Sequence, residues 1–423
     1  MVTGSVLRKI FKRLWGSRTG RKVLYLYLVQ GVNYVLPLLV LPHLAHTLGP
    51  ETFAKLALAQ VVANYLSFLV DYGFGFSATR EVATRRTDAE WLGKLASEVL
   101  HARLVLVVPS GFLLFGVFYL FPLLRGEWVY ALGALAVVFG YSLNPVWFFQ
   151  GKEEVKPILF LELGLRISTT LGIFLWVRGP QHGALPLLLQ GFVSSGLGAL
   201  GLFWIFSRVP FSGLRGGTRW LRKGALFSFY NMILVAYSFL PMLLVSFFCP
   251  PTAVGQYAFA ERIVRGLVNL WNPIGRVFFP KLSFAFAHSY ETTRRWLVYG
   301  GLATLGLGAV VSLILWIVAP WAMSRFIGPD YRLSTELVQI MSFYLFLSSL
   351  TSFLGLQVFF PLGLERLLLT LTLLVVAGFL ALGSVAALHF GVVGVAWAVV
   401  LGELVLAMGM IVSLAWVARR KRL

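Results

Sequence analysis

The sequence predicts an all-α membrane protein with twelve transmembrane helices in two six-helix lobes around a central cavity. Three observations predict it: the composition, the spacing of apolar runs, and the distribution of positive charge. Of 423 residues, 58% are apolar and 12% charged, with a mean hydropathy of +0.83. A water-soluble domain carries about 45–50% apolar and about 25% charged residues, so a soluble fold is excluded. Lys and Arg number 36 against 16 Asp and Glu, a net charge of +20. In so apolar a chain that excess records orientation in a bilayer, and no nucleic-acid partner is needed to explain it. The single cysteine, Cys249, excludes internal disulfides and cysteine-based metal centres, and the six histidines form no ligand pattern. No metal or cofactor is expected.

The elements follow in chain order. Residues 1–22 place Val6, Leu7, Ile10, Phe11 and Leu14 opposite Arg8, Lys9, Lys12 and Arg13 at helical spacing. That pattern predicts a basic amphipathic arm on the cytoplasmic leaflet, not a cleaved signal. Apolar runs of roughly 20 residues, enough to span a bilayer, then recur twelve times. They lie near 23–45, 53–77, 99–121, 128–149, 158–177 and 183–206, then near 224–247, 255–279, 296–319, 336–360, 367–388 and 392–417. The first six make an N-terminal lobe over 23–207, a basic linker fills 208–223, and the rest make a C-terminal lobe over 224–423.

Charge tests this count. With Arg80, Arg85, Arg86, Lys94 and Arg103 assigned to the segment between spans 2 and 3, one face collects 27 of the 36 cations. The other face holds Arg125, Arg178, Arg325 and Arg332. The positive-inside rule then puts both termini in the cytoplasm, as an even span count requires.

The two lobes echo each other. Thr52–Ala59 resembles Ala253–Ala260 at an offset of 201 residues, and Trp147–Gly151 resembles Phe359–Gly363 at an offset of 212. Pro37 and Pro241 mark the preceding spans. Span 2 carries a polar stripe of Gln60, Asn64, Ser67 and Asp71, and span 8 carries Glu261, Arg265, Asn269, Asn272 and Arg276 at spacings that share a helix face. A charge inside a bilayer costs at least about 2.5–3.5 kcal/mol near its centre, so such groups face a cavity or a partner. Arg265 and Arg276, with Arg262 and Lys55, are candidate ligands for an anionic group, since guanidinium pairs with phosphate in two parallel bonds. The polar candidates are Asn269, Asn272, Asn64 and Gln60. The plainer reading is that Glu261 and Arg265 form an i,i+4 pair and Arg276 reaches the headgroups. Glu162 and Arg166 are spaced for a further pair, while Glu403 stands alone in span 12. Glu261, Glu403, Glu162 and Asp71 are the candidate ion-coupling carboxylates.

There is no G-x-x-x-x-G-K-[ST] loop, G-x-S-x-G elbow or H-E-x-x-H pair, and no outer loop with paired acids. The sequence therefore favours a transporter over an enzyme. The weaker alternatives are a polytopic glycosyl-transfer enzyme, or an exporter of the same fold carrying a peptidoglycan lipid precursor or drugs.

Specific segments resemble a known family. Residues 30–50 (QGVNYVLPLLVLPHLAHTLGP) and 69–83 (LVDYGFGFSATREVA) resemble the first-span and span-2 signatures of bacterial O-antigen and polysaccharide flippases. Trp147–Lys156 and Phe278–Leu282 are similar to that family's cytoplasmic turn and span-8 exit, although the usual Glu-Lys pair is interrupted in Lys152-Glu153-Glu154-Val155-Lys156. The resemblance implies the multidrug/oligosaccharidyl-lipid/polysaccharide exporter fold with two lobes opening alternately to either side, a MATE-like exporter fold. It implies an undecaprenyl-pyrophosphate-linked oligosaccharide as cargo and the bacterial inner membrane as location. Its implied partners are a polysaccharide polymerase and glycosyltransferases.

Overall fold

A computed structural model describes residues 18–421, with side chains from Gly31 onward except at 34, 222–227, most of 229–237 and a few single positions that include Asn272 and Arg276. Residues 1–17 of the amphipathic arm lie outside the described residues. The described chain is helical throughout, and no strand occurs among those residues. Helix α1 (Arg18–Asp71) turns at Gly49, whose φ of 70° suits glycine, and Pro50 restarts the helix with its φ already set. Short α2 (Phe74–Thr84) follows, then α3 (Ala89–Leu120), whose first turn is capped by Asp88 accepting from the Trp91 amide at 3.0 Å. Next come α4 (Trp128–Ser142), α5 (Val146–Gly151), α6 (Val155–Trp176) and α7 (Leu185–Phe206). Beyond the linker lie α8 (Thr218–Phe248), α9 (Pro251–Val268), α10 (Asn272–His288), α11 (Tyr290–Phe326), α12 (Arg332–Leu354) and α13 (Glu365–Lys421), the last kinked at Gly391.

Eight helices among the described residues are long and apolar enough to cross a membrane, two of them being pairs merged across the glycine kinks. Each of the twelve apolar runs falls largely on helix. The protein is a multi-pass membrane protein. Its exposed Phe, Leu, Val and Trp side chains along α3, α11 and α13 are what a lipid-facing surface requires.

Four predicted spans differ from the continuous helices expected. Span 2 breaks at Tyr72 and Gly73, both at positive φ, and span 4 breaks between Ser142 and Val146. Span 8 passes through a single 3-10 turn at Asn269–Trp271, and span 10 ends in a π-turn at Gly355–Phe359. Pro145 and Pro273 explain two of these: Pro145 disfavours helical geometry at Asn144 before it, and Pro273 lacks the amide that would bond the Asn269 carbonyl four residues back. Composition stays apolar across the breaks, so hydropathy alone runs over them.

By internal contacts the chain forms two compact units. One comprises the residues up to Thr47 with Ala59–Ile233; the other comprises Leu48–Leu58 with Leu234–Leu423. In the first, Phe74, Val82, Leu92, Leu95 and the run Trp147–Phe149 make a buried core. In the second, Phe359, Leu406 and Met410 do so.

Candidate functional site

The second unit contains a recess of about 480 Å³ of empty space, part of it open. Its polar groups are Ser238, Tyr257, Glu261, Arg265 and Tyr344, set among the apolar side chains of Met341, Phe379 and Val399. Helix geometry places them. Glu261 and Arg265 stand one turn apart on α9, so Arg265 donates to Glu261 Oε1 through Nε at 3.0 Å and Nη2 at 2.8 Å. Its Nη2 also donates to the Ser238 carbonyl in α8. That carbonyl lies one turn before Pro241, whose ring removes a ladder donor and disturbs the preceding turn. A side chain of α9 is thus tied to a backbone carbonyl of α8 in the turn before Pro241. Glu261 is 11% exposed and Arg265 keeps 40% of its side-chain surface open. The carboxylate is therefore tied down while part of the guanidinium stays accessible.

Among the candidates whose side chains are described, the others do not line this recess. Arg262 lies over the Phe53 ring at 4.7 Å, in an aromatic cluster with Phe259 and Tyr331. Asn269 turns its amide back to the Arg265 carbonyl at 3.0 Å, inside its own helix. The 3-10 turn at Asn269–Trp271 divides the span-8 stripe, so Glu261 and Arg265 precede the break and Asn272 and Arg276 follow it. The side chains of Asn272 and Arg276 lie outside the described residues. Lys55 and Gln60 are half-buried, and Asn64 is exposed. Glu403, 6% exposed in α13, accepts a hydrogen bond from the Thr351 hydroxyl in α12.

Within the first unit, the spacing of Glu162 and Arg166 does not produce the expected pair: Arg166 Nε donates to Asn33 Oδ1 at 2.8 Å. Asp71 is engaged by a residue that loop counting misplaces. Arg103 lies inside α3 with a side chain only 4% exposed, not in a cytoplasmic loop. Its Nη2 reaches Asp71 Oδ1 at 2.6 Å and its Nη1 donates to the Asn144 carbonyl at 2.7 Å. One guanidinium therefore joins the end of span 2 to the break in span 4. A cation standing within the apolar run 99–121 was the signal that could have found it.

The fold is that of solved MATE and MurJ exporters. The chain superposes on a solved structure titled "Lipid II flippase MurJ, inward closed conformation" with a TM-score of 0.71 at 14% identity, covering 93% of this chain and 87% of that one. It superposes on an inward-facing multidrug resistance MATE family transporter of the MOP superfamily with a TM-score of 0.68 at 18% identity, covering 95% and 96%. Identities this low speak to fold alone. The family is fixed by sequence: residues 19–286 match the family described as Polysaccharide biosynthesis protein. A relative from Escherichia coli (strain K12) named "Putative O-antigen transporter" is 30% identical over 345 residues, covering 80% of this chain and 82% of its own. One of the same name from Shigella dysenteriae is 26% identical over 353 residues, covering 82% and 88%. The chain belongs to the polysaccharide biosynthesis protein family.

Proposed function

We propose that the protein is an O-antigen or surface-polysaccharide flippase, moving an undecaprenyl-pyrophosphate-linked oligosaccharide from the cytoplasmic to the periplasmic leaflet by alternating access. It would sit in the inner membrane with both termini cytoplasmic, as its cation distribution supports. The observation that carries the reading is the partly open guanidinium of Arg265 in a recess of mixed polar and apolar lining within a spanning lobe. A pyrophosphate crossing hydrocarbon needs its charge met, and arginine meets phosphate by bidentate charge-assisted bonds. Glu261 and the Ser238 carbonyl engage Nε and Nη2 and hold the fork in place, which leaves Nη1 as the arm proposed for a phosphate oxygen. Arg276, on the far side of the 3-10 turn, is the second proposed phosphate contact, nearer the cytoplasm. Lys55, Arg262, Asn64, Gln60, Asn269 and Asn272 are assigned supporting polarity.

No nucleotide-binding loop is present in the sequence, so the reading places the driving force in an ion gradient or in consumption of the product by a polymerase. Glu403 is the proposed coupling carboxylate. It is buried, hydrogen-bonded by one hydroxyl and in no ion pair among the described residues, whereas Glu261 and Asp71 each hold an arginine. The test is reconstitution in proteoliposomes with a fluorescent undecaprenyl-pyrophosphate-linked saccharide. Arg265→Ala should cut flipping by at least about tenfold, the scale of one lost charge-assisted contact. Arg265→Lys should retain part of it. Flipping at the wild-type rate by Arg265→Ala would remove the assignment.

A further inference from the structure

The basic linker after α7 is fastened to α3 by a buried carboxylate. Glu98 is 6% exposed, and its oxygens accept from Arg219 Nη2 at 2.5 and 2.6 Å and from the Trp220 indole at 2.8 Å. The backbone of the linker is stitched to the same helix along its length. The Ser212 amide donates to Ser97 Oγ at 3.0 Å and the Gly217 amide to His101 Nδ1 at 3.2 Å, while the Tyr72 hydroxyl, from the break between α1 and α2, reaches the Leu221 carbonyl at the start of α8 at 2.9 Å. Glycine is required on both sides of the contact. A Cβ on Gly93 would stand 2.1 Å from the Pro210 carbonyl oxygen, and one on Gly217 would stand 2.4 Å from that of Glu98. Neither approach could be relieved by turning a flexible side chain.

We propose that Glu98 is a positioning residue that keeps residues 208–221 docked on α3 throughout transport, so that the linker travels as part of the first unit and is not a free tether. Three observations carry the proposal. A carboxylate this buried needs compensating donors, and Arg219 and Trp220, in the first turn of α8 where the linker ends, supply three hydrogen bonds. The contact is backbone against backbone, which a mobile tether does not build. The linker also belongs by its internal contacts to the first unit, whose boundary lies beyond it at Ile233, inside α8.

The consequence for transport rests on the flippase reading, but the docking is measured without it. In reconstituted full-length protein, trypsin should cut at Arg215 at least about tenfold faster in Glu98→Ala than in wild type, as expected when hydrogen bonds to a charge hold a segment closed. Glu98→Gln should lie between them. Unchanged cleavage would overturn the proposal, whatever the protein carries. A second arm replaces Cys249 by Ser and introduces Ser97→Cys with Ser212→Cys, two positions already in hydrogen-bond contact. Oxidised, this protein should flip the lipid-linked saccharide as fast as its reduced form, and the same crosslink should rescue Glu98→Ala. Arrest on oxidation, reversed by reduction, would show that the linker must undock and would refute the proposal. If wild type moves no saccharide, the flippase reading fails and the proteolysis still decides the docking.

Discussion

In the first unit the buried ion pair is Asp71–Arg103; in the second it is Glu261–Arg265. The two pairs do not occupy equivalent places. At the offset of 201 residues that relates the lobes, Asp71 falls on Asn272 and Arg103 on Thr304, while Glu261 and Arg265 fall on Gln60 and Asn64. Each lobe is neutral where the other is charged. The break bridged by Arg103, at Asn144 and Pro145, corresponds at the offset of 212 to Leu356 and Gln357 in the π-turn. There the tie is neutral: Gln357 Nε2 donates to Thr304 Oγ1 at 2.9 Å. Both lobes thus fasten spans 3 and 4, or 9 and 10, at an interrupted helix. The first does so with a closed ion pair, leaving none of that charge for a ligand. The second does so with an amide and a hydroxyl, and carries its arginine into an open recess instead.

Recasting the first lobe in the image of the second should give the largest effect. Arg103→Thr copies Thr304 but leaves Asp71 buried without its cation, a loss of about 3–5 kcal/mol when one partner of a buried pair is removed. Little folded protein should survive detergent extraction. Asp71→Asn with Arg103→Thr copies both residues of the second lobe and should recover a substantial part of that stability in thermal unfolding. If the double variant is no better than the single one, the pair is not what holds the break.

The reverse exchange should separate function from folding. Glu261→Gln with Arg265→Asn writes the first lobe's residues into the recess. An i,i+4 pair with 40% of its arginine exposed contributes well under about 1 kcal/mol, so unfolding should shift little. Flipping of the saccharide should nevertheless fall by about tenfold or more. Loss of both together would make the second pair as structural as the first.

The legibility of these features in the sequence follows the same division. A run of twenty apolar residues is sufficient for a spanning helix, so the long apolar helices were readable from hydropathy. The Glu261–Arg265 pair was readable because both residues lie on one helix at a spacing that brings side chains together. Arg103 and Glu98 were not: α3 starts at Ala89, ten residues before its apolar run, so Glu98 fell in what hydropathy reads as loop, and Arg103, four residues inside the run, was assigned to that loop with the neighbouring cations. Their partners, Asp71 and Asn144 for one, Arg219 and Trp220 for the other, are 32 to 122 residues distant. The recess was equally out of reach, since Tyr344, Phe379 and Val399 join Arg265 only through packing. Breaks at Pro145 and Pro273 had a visible signal, but apolar composition continued across both.

The neutral tie should be the more forgiving of the two. Thr304→Val leaves the Gln357 amide without an acceptor in a site 1% exposed, a cost of about 1–3 kcal/mol. Gln357→Leu on that background should restore part of it, because matched apolar groups remove the unsatisfied donor. Thermal unfolding of the single and double variants checks this. A cost as large as that of Arg103→Thr would contradict the distinction drawn between the lobes.

The smallest effect concerns the loop between α8 and α9, where the second lobe carries Cys249 and the first lobe's equivalent is Leu48. Partial burial pushes the Cys249 thiol above its ordinary range. The thiolate is the reacting species, so a raised value means less of it at neutral pH and slower alkylation than for an open cysteine. The rate should climb about tenfold per pH unit and continue to climb past about 8.5, where an exposed thiol levels off. A membrane-impermeant maleimide should reach it from the periplasmic side in spheroplasts and not from the cytoplasmic side in inverted vesicles. Labelling from the cytoplasmic side would reverse the orientation read from the cations. It would also move the Arg265 recess relative to the leaflet from which the cargo is taken.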